Sequence, residues 1–282
     1  MRFFAINRSE MGISMKLALA VWNPLWEAKE ENKERAEQLI EKAARYGNSL
    51  ILFPEMTLTG YSMNIDKIGE NRKNSSTCRF FQRLSKKHRI AVGFGYAVVT
   101  DGKTDCCGEN CFAIVKDGMI LGSYTKIHPF SFAGEHRIYR GGDRLCQVKL
   151  DDMTFGLYIC YDLRFPEVFR VAAKDCQVMA VIASWPEERK SQWETLLCAR
   201  AIENQCYVIG VNRTGEGNHI IYPENGSFVF DPYGNRVLLE ERDGLLLCEI
   251  NQDMVYECRH TFPFLQDRRP ELYERFENGK KD

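Results

Sequence analysis

The 282-residue chain carries 38 Lys and Arg against 39 Asp and Glu, a formal net charge of −1, so no positive field exists to hold a polyanion and nucleic acid is excluded as a main partner. The longest apolar stretches, such as MKLALAVW and QVMAVIASW, fall far short of the ~20 residues of a spanning helix, so a soluble protein without a membrane partner is expected. Eleven cysteines, an odd number scattered through apolar segments, suit reduced thiols in a cytoplasm better than a disulfide framework.

The N-terminus MRFFAINRSEMGIS has neither a long apolar core nor a small-residue cleavage site, so it is not read as a secretory signal. Met15 stands directly before a strand-like run and is an alternative start, which makes residues 1–14 an N-terminal extension. KLALAV (16–21) is then the first strand. From about Asn32, Ala36, Leu39, Ile40 and Ala43 recur at helical spacing up to Gly47. SLILF (49–53) is a buried strand ending in Pro-Glu, a helix over 75–88 carries Phe80, Phe81 and Leu84 on one side, and IAVGFGYAVV (90–99) is the next strand.

CFAIVKDGMILGSYTK (111–126) alternates apolar and polar residues around Asp117-Gly118, a strong hairpin signal. Just before it, CCGENC (106–111) has close cysteines, but no second pair at zinc spacing follows and the histidines form no HExxH or HxxxH pair, so no metal is expected. MTFGLYIC (153–160) is a strand, Pro166 suits the first turn of a helix, VMAVIAS (178–184) is a strand, and a long helix covers 191–205. CYVIGVN, GSFVFDPYGNRVLLE with DPYGN as its turn, and GLLLCEI supply the late strands. No repeat or linker divides the chain, so α/β with mixed sheets in one domain over 15–255 is expected, followed by a C-terminal tail over 256–282.

Glu55, Lys126 and Cys160 each lie at or just past the end of an apolar strand, where α/β folds place their ligand crevices. Their chemistry is complementary. A cysteine needs a base or a cation to act as a nucleophile near neutral pH; Glu55 suits the base, and Lys126 suits both a thiolate and the oxyanion that forms when a carbonyl is attacked. CYDLRFPE would form a tight elbow that exposes the Cys160 sulfur and aims the Tyr161 N–H at the same oxygen. Spacing alone leaves other readings open: a packing cysteine, a Pro-Glu turn, a solvated hairpin lysine, and a loop carboxylate at Glu135.

ILFPEMTLTGYSM, GSYTKIHPF, GLYICYDLRFPEVFR and ASWPEERKSQWETLLCARAIENQCYVIGVNRTG, in this order, resemble the nitrilase superfamily of carbon-nitrogen hydrolases over residues 16 to 270. The resemblance implies a Glu-Lys-Cys triad at Glu55, Lys126 and Cys160, a second glutamate at Glu135, and no cofactor. It also implies an αββα four-layer sandwich, two mixed sheets face to face with helices outside, assembled as a homodimer or higher homo-oligomer. Tyr161 and Asp162 follow the cysteine where nitrile-cleaving members carry Trp-Glu, which points away from nitriles. PEMTLTGYSMN, FAGEHRIYRGGD and ASWPEERKSQW are most similar to bacterial omega-amidases, so the expected substrate is a small amide, 2-oxoglutaramate or 2-oxosuccinamate. A deaminated-glutathione amidase, a carbamoyl-group hydrolase and a non-catalytic scaffold are the alternatives.

Such a substrate carries a carboxylate distal to the amide, and Arg164, Arg137, Arg140, Arg189 and Arg213 are the cations near the motifs. Sequence does not choose among them; Arg164 is named as a candidate substrate contact, against the favoured role of an ion pair with Asp162 or Glu167 that holds the elbow. Trp185 and Phe130 are expected as pocket walls. Arg200 and Glu203, polar on an apolar helix, are expected as a structural pair.

Overall fold

The computed structural model describes residues 13–100 and 106–279; most of the expected N-terminal extension therefore lies outside the described residues. In chain order, β1 (Ser14–Ala20) leads through α1 (Lys29–Arg45) to β2 (Leu50–Leu52), then through short α2 (Ile65–Ile68) and β3 (Glu70–Asn71) to α3 (Ser76–His88) and β4 (Ala91–Val99). Two hairpins follow, β5 (Gly108–Lys116) with β6 (Met119–Thr125) and β7 (Gln147–Leu150) with β8 (Met153–Ile159). Next come α4 (Pro166–Ala172), β9 (Val178–Ala183), α5 (Lys190–Asn204) and β10 (Tyr207–Asn212). The described chain finishes with β11 (Gly215–Gly217), β12 (Ile220–Tyr222), β13 (Phe228–Phe230), β14 (Glu240–Arg242), β15 (Leu245–Asn251), α6 (Gln252–Thr261) and α7 (Pro270–Glu277).

One sheet runs β14-β15-β1-β2-β4-β5-β6, with β3 paired to β4, and the second runs β13-β10-β9-β8-β7. Both mix parallel and antiparallel pairs. Strand alternation assigns the layers. Leu17 and Leu19 of β1, with Phe112 and Ile114 of β5, meet Phe155, Leu157 and Ile159 of β8 and Ile182 of β9 between the sheets. The opposite parity, Ala18, Ala20, Val92 and Phe94, packs under Ala36 and Ile40 of α1 and Phe81 and Leu84 of α3. Tyr158, Met179 and Val181 likewise pack under Phe169 of α4 and Trp193 and Leu197 of α5. The result is the expected αββα order of layers.

Three local expectations need correcting. α1 starts at Lys29, ahead of the apolar periodicity, because Glu30 and Glu31 favour the first turn of a helix whose last turn holds Lys42 and Arg45. β7, which the sequence did not announce, pairs with β8 across a tight turn at Asp151, where φ is +51°. The strand expected over 236–240 is absent: after the turn at Asp231, whose carboxylate accepts the N–H groups of Tyr233 and Asn235, a single bridge joins Phe230 to Arg236, and Leu238 lies exposed. Beyond Val237, whose N–H donates to the Val229 carbonyl at 2.9 Å, the arm stays irregular until β14, with Val237 and Leu239 packed against the core between the sheets.

Candidate active site

Glu55 follows β2 by a Phe-Pro step, and its loop crosses directly over β4. A Cβ on Gly95 would lie 2.4 Å from the Met56 nitrogen and 2.9 Å from the Glu55 Cα, so only glycine permits the crossing. Lys126 immediately follows β6; its N–H donates to the Asn110 carbonyl at 2.9 Å and its carbonyl accepts from Gly142 N–H at 2.8 Å. These contacts turn the side chain inward, and Glu55, Lys126 and Glu135 are each no more than 1% exposed.

The three form one charged cluster. Lys126 Nζ lies 3.3 Å from Glu55 Oε1 and 2.7 Å from Glu135 Oε2. Asn110 Nδ2 donates to both carboxylates, at 2.7 Å to Glu55 and 3.0 Å to Glu135. Ser184 N–H donates to Glu55 Oε2 at 2.9 Å, and Phe130 N–H donates to Glu135. Burial pushes the Glu55 carboxyl above the usual range, and the Glu135 charge adds to this against the pull of Lys126. Burial acts the same way on Glu135, but Lys126 and the Phe130 N–H override it and hold that carboxyl low. Lys126, opposed by burial yet paired with Glu135 and Glu55, is held well above the usual lysine value.

Cys160 occupies the junction of β8 and a short 3₁₀ turn, Cys160–Arg164, with φ at +46°. This left-handed conformation is unusual for a side-chain-bearing residue and is sustained only where the surroundings impose it. Asp162 imposes it here, accepting from Ile159 N–H at 3.0 Å, Tyr124 Oη–H at 2.9 Å and His128 N–H at 3.0 Å, with His128 Nδ1 2.8 Å away. Arg200 of α5 donates to the Leu163 carbonyl at 2.7 Å and pairs with the half-buried Glu203. The sulfur is partly exposed to a cleft. Its thiol is pushed well up by burial and then by the Glu55 charge. Tyr161 N–H opens the 3₁₀ turn, a position with no acceptor inside the turn.

The cleft is lined by Tyr61, Lys126, Phe130, Cys160, Trp185 and Tyr222, with Arg164 and Arg189 also on its wall. The cleft encloses about 70 Å³ of solvent-accessible space, room for a small molecule. Phe130 and Trp185 both form part of its wall. Arg164 does not pair with Asp162, whose oxygens are taken as described; instead it donates to Gln192 at 2.8 Å and lies over the Trp185 ring at 4.8 Å. Arg140 is engaged with Glu109 outside the cleft, Arg137 is exposed, and Arg213 is buried behind the Tyr222 ring. Among the described residues, no group of three or more His, Cys, Asp or Glu is placed to hold a metal ion.

Asn110, Tyr61, Ser184 and Tyr222 were not singled out from sequence. One signal for Asn110 exists: it shares the inward face of β5 with Phe112 and Ile114, a polar residue at a core position. Tyr61 Oη, Asn110 Oδ1 and Ser184 Oγ are buried without a hydrogen-bond partner, and all three lie at this site.

The carbon-nitrogen hydrolase family matches residues 16–260. A 2-oxoglutaramate amidase of Bacillus subtilis is 34% identical over 86% of this chain and 93% of its own, and a deaminated glutathione amidase of Synechocystis is 30% identical over 84% and 92%. The crystal structure of XC1258 from Xanthomonas campestris, a CN-hydrolase superfamily protein with an arsenic adduct in its active site, superposes with a TM-score of 0.82 at 27% identity, covering 91% of this chain and 98% of that one. The chain belongs to the carbon-nitrogen hydrolase family. Within it, the protein is an amidase of the nitrilase superfamily, acting on carbon–nitrogen bonds other than peptide bonds. Among the described residues no helix is long and apolar enough to cross a membrane.

Proposed function

We propose that the protein hydrolyses the terminal amide of a small omega-amido 2-oxo acid, such as 2-oxoglutaramate or 2-oxosuccinamate, through a Cys160 thioester. The observation that carries this reading is the meeting of an αL-held cysteine with the Glu55–Lys126–Glu135 cluster in a cleft of small volume that has guanidinium groups on its wall.

In this reading Glu55 takes the thiol proton as the sulfur attacks the amide carbon. Both the thiol and the Glu55 carboxyl are pushed up by burial, so little thiolate exists at rest and proton transfer accompanies carbon–sulfur bond formation. Lys126 and the Tyr161 N–H stabilise the oxyanion. Protonated Glu55 then passes its proton to the departing ammonia and, as carboxylate again, activates the water that cleaves the thioester. Glu135 keeps Lys126 charged and in place. No cofactor enters this scheme. Arg164, already lying on Trp185, receives the distal carboxylate, and Phe130 and Trp185 confine the acyl chain.

The names of the Bacillus subtilis and Synechocystis relatives define the contest between a short oxo-amide and a longer deaminated peptide. Ammonia release from 2-oxoglutaramate, 2-oxosuccinamate, deaminated glutathione and carbamoyl amino acids tests it. A preference of tenfold or more in kcat/KM for either short oxo-amide is expected, and a preference for deaminated glutathione overturns the substrate assignment. Mass spectrometry of the wild type and Cys160→Ala with a slow amide tests the thioester, since turnover without an acyl adduct on the wild type refutes it. A homodimer is part of the same reading, favoured by exposed Phe262, Tyr273 and Phe276 near the C-terminus; a monomeric mass in sedimentation refutes that part.

A further inference from the structure

We propose that the Tyr61 hydroxyl is a catalytic side-chain donor to the amide oxygen, joining Lys126 and the Tyr161 N–H; this rests on the thioester reading above. Tyr61 lines the cleft together with Cys160 and Lys126, and its oxygen is buried without a partner. A buried hydroxyl with nothing to bond is costly, and such a group is retained where a ligand completes it.

Its place in the cleft identifies the acceptor. Its side chain shares the wall of the cleft with Cys160 and Lys126, at the end where the sulfur lies rather than at the distal end of the substrate. Lys126 Nζ lies 5.6 Å from the centre of its ring. Neither nearby carboxylate bonds the Tyr61 oxygen: Glu55 takes its donors from Asn110, Lys126 and Ser184, and Glu135 from Asn110, Lys126 and Phe130 N–H. The missing acceptor therefore arrives with the substrate. A distal carboxylate is repelled by Glu55 and Glu135, and an amide nitrogen is a poor acceptor, which leaves the carbonyl oxygen.

The segment is braced to present the group. Gly60 holds φ at +70° and its missing Cβ admits Trp26 and Arg213, while on the other side the Ser62 carbonyl accepts from Tyr139 Oη–H at 2.6 Å and Ser62 Oγ–H donates to Glu27. Burial keeps the phenol protonated far beyond its ordinary range, so it enters the reaction as a donor. When the sulfur pair forms the S–C bond, the carbonyl π pair moves onto oxygen and the thiol proton passes to Glu55. Tyr61 keeps its proton and lends only a hydrogen bond.

The test is Tyr61→Phe, which removes the oxygen and leaves the ring against Lys126. The expected result is a kcat lower by about 100- to 1000-fold, the range for a lost oxyanion donor, with KM changed less than threefold. Inhibition by 4-oxobutanoate, an aldehyde that adds the thiol to give a tetrahedral oxygen, should weaken by a similar factor, while inhibition by the dicarboxylate product stays as in the wild type. Alkylation of Cys160 by iodoacetamide should keep its rate, and the melting temperature should hold or rise, because an unpartnered oxygen is lost. An unchanged kcat, a loss confined to KM, slower alkylation or a lowered melting temperature each overturns the assignment. A wild type that turns over without an acyl adduct refutes the thioester, whereas a wild-type adduct with an unaffected Tyr61→Phe refutes the donor alone.

Discussion

Two buried carboxylates, Glu70 and Glu55, each lie beside one lysine and yet are driven in opposite directions. Glu70 is saturated with donors: Lys29 Nζ and Thr77 Oγ1–H at 2.7 Å and Ser76 Oγ–H at 3.0 Å on one oxygen, and Ser75 Oγ–H and Thr77 N–H on the other. Burial works against its charge, but these donors override it and bring the carboxyl down to about 2. Glu55 shares its lysine with a second carboxylate, receives only three donors and is pushed up instead. The fold surrounds with donors the carboxylate whose charge ties β3 to α1 and α3, and withholds donors from the one proposed to carry a proton.

The most severe way to break this contrast is Cys160→Ala. Ammonia release should fall by roughly 10⁴-fold or more, with a thermal midpoint close to that of the wild type, since Cys160 is only partly buried. Glu55→Gln and Glu70→Gln then sharpen it from both sides. For Glu55→Gln a fall in kcat of about 10² to 10⁴ is expected, without major unfolding in urea. For Glu70→Gln kcat should be retained, while urea melts show a loss of about 2 kcal/mol, the shift from 4.5 to about 2 at 1.36 kcal/mol per unit reduced by solvent screening of an incompletely buried group.

The pH dependences should differ in the same sense. A folded carboxyl held low stabilises the protein above the unfolded value, so the Glu70 contribution is fully present above about 4.5 and fades as pH falls toward about 2. Chemical melts of the wild type and Glu70→Gln should converge across that window; a constant gap would contradict the assignment. A base held high must lose its proton to work, so kcat/KM should rise with pH along an acid limb lying above 4.5 and absent from Glu55→Gln. The smallest effect concerns the cleft wall: Arg164→Met should raise KM for the oxo-acid amide about tenfold, or ~1.4 kcal/mol, with kcat kept.

The Glu55 side of this contrast was readable in the amino-acid order; Glu70 was not singled out there. Glu55, Lys126 and Cys160 each close an apolar strand, and apolar patterning marks most of the strands, while the αββα layering follows from the family resemblance. The support around them was not readable, because it depends on which strands become neighbours. Asn110 reaches Glu55 only because β5 lies beside β4 and over the β2 loop, and Asp162 reaches His128 only because the β6 and β8 ends converge. Tyr61 gives no local hint, as its meaning is an oxygen with nothing to bond. The irregular arm at 236–240 and the four-residue β7 failed for another reason: apolar alternation over so few residues fits loop and strand equally.

The pairing of β1 with β15 joins Ser14 to Asn251, across most of the chain. During synthesis β1 leaves the ribosome more than 200 residues ahead of its antiparallel neighbour, an interval of about ten seconds or more at ordinary translation rates. Throughout that time one side of the first sheet is an open hydrogen-bonding edge, available to any passing strand. The nascent protein is therefore most vulnerable to aggregation before residues 245–251 emerge, and chaperone demand should peak in that window.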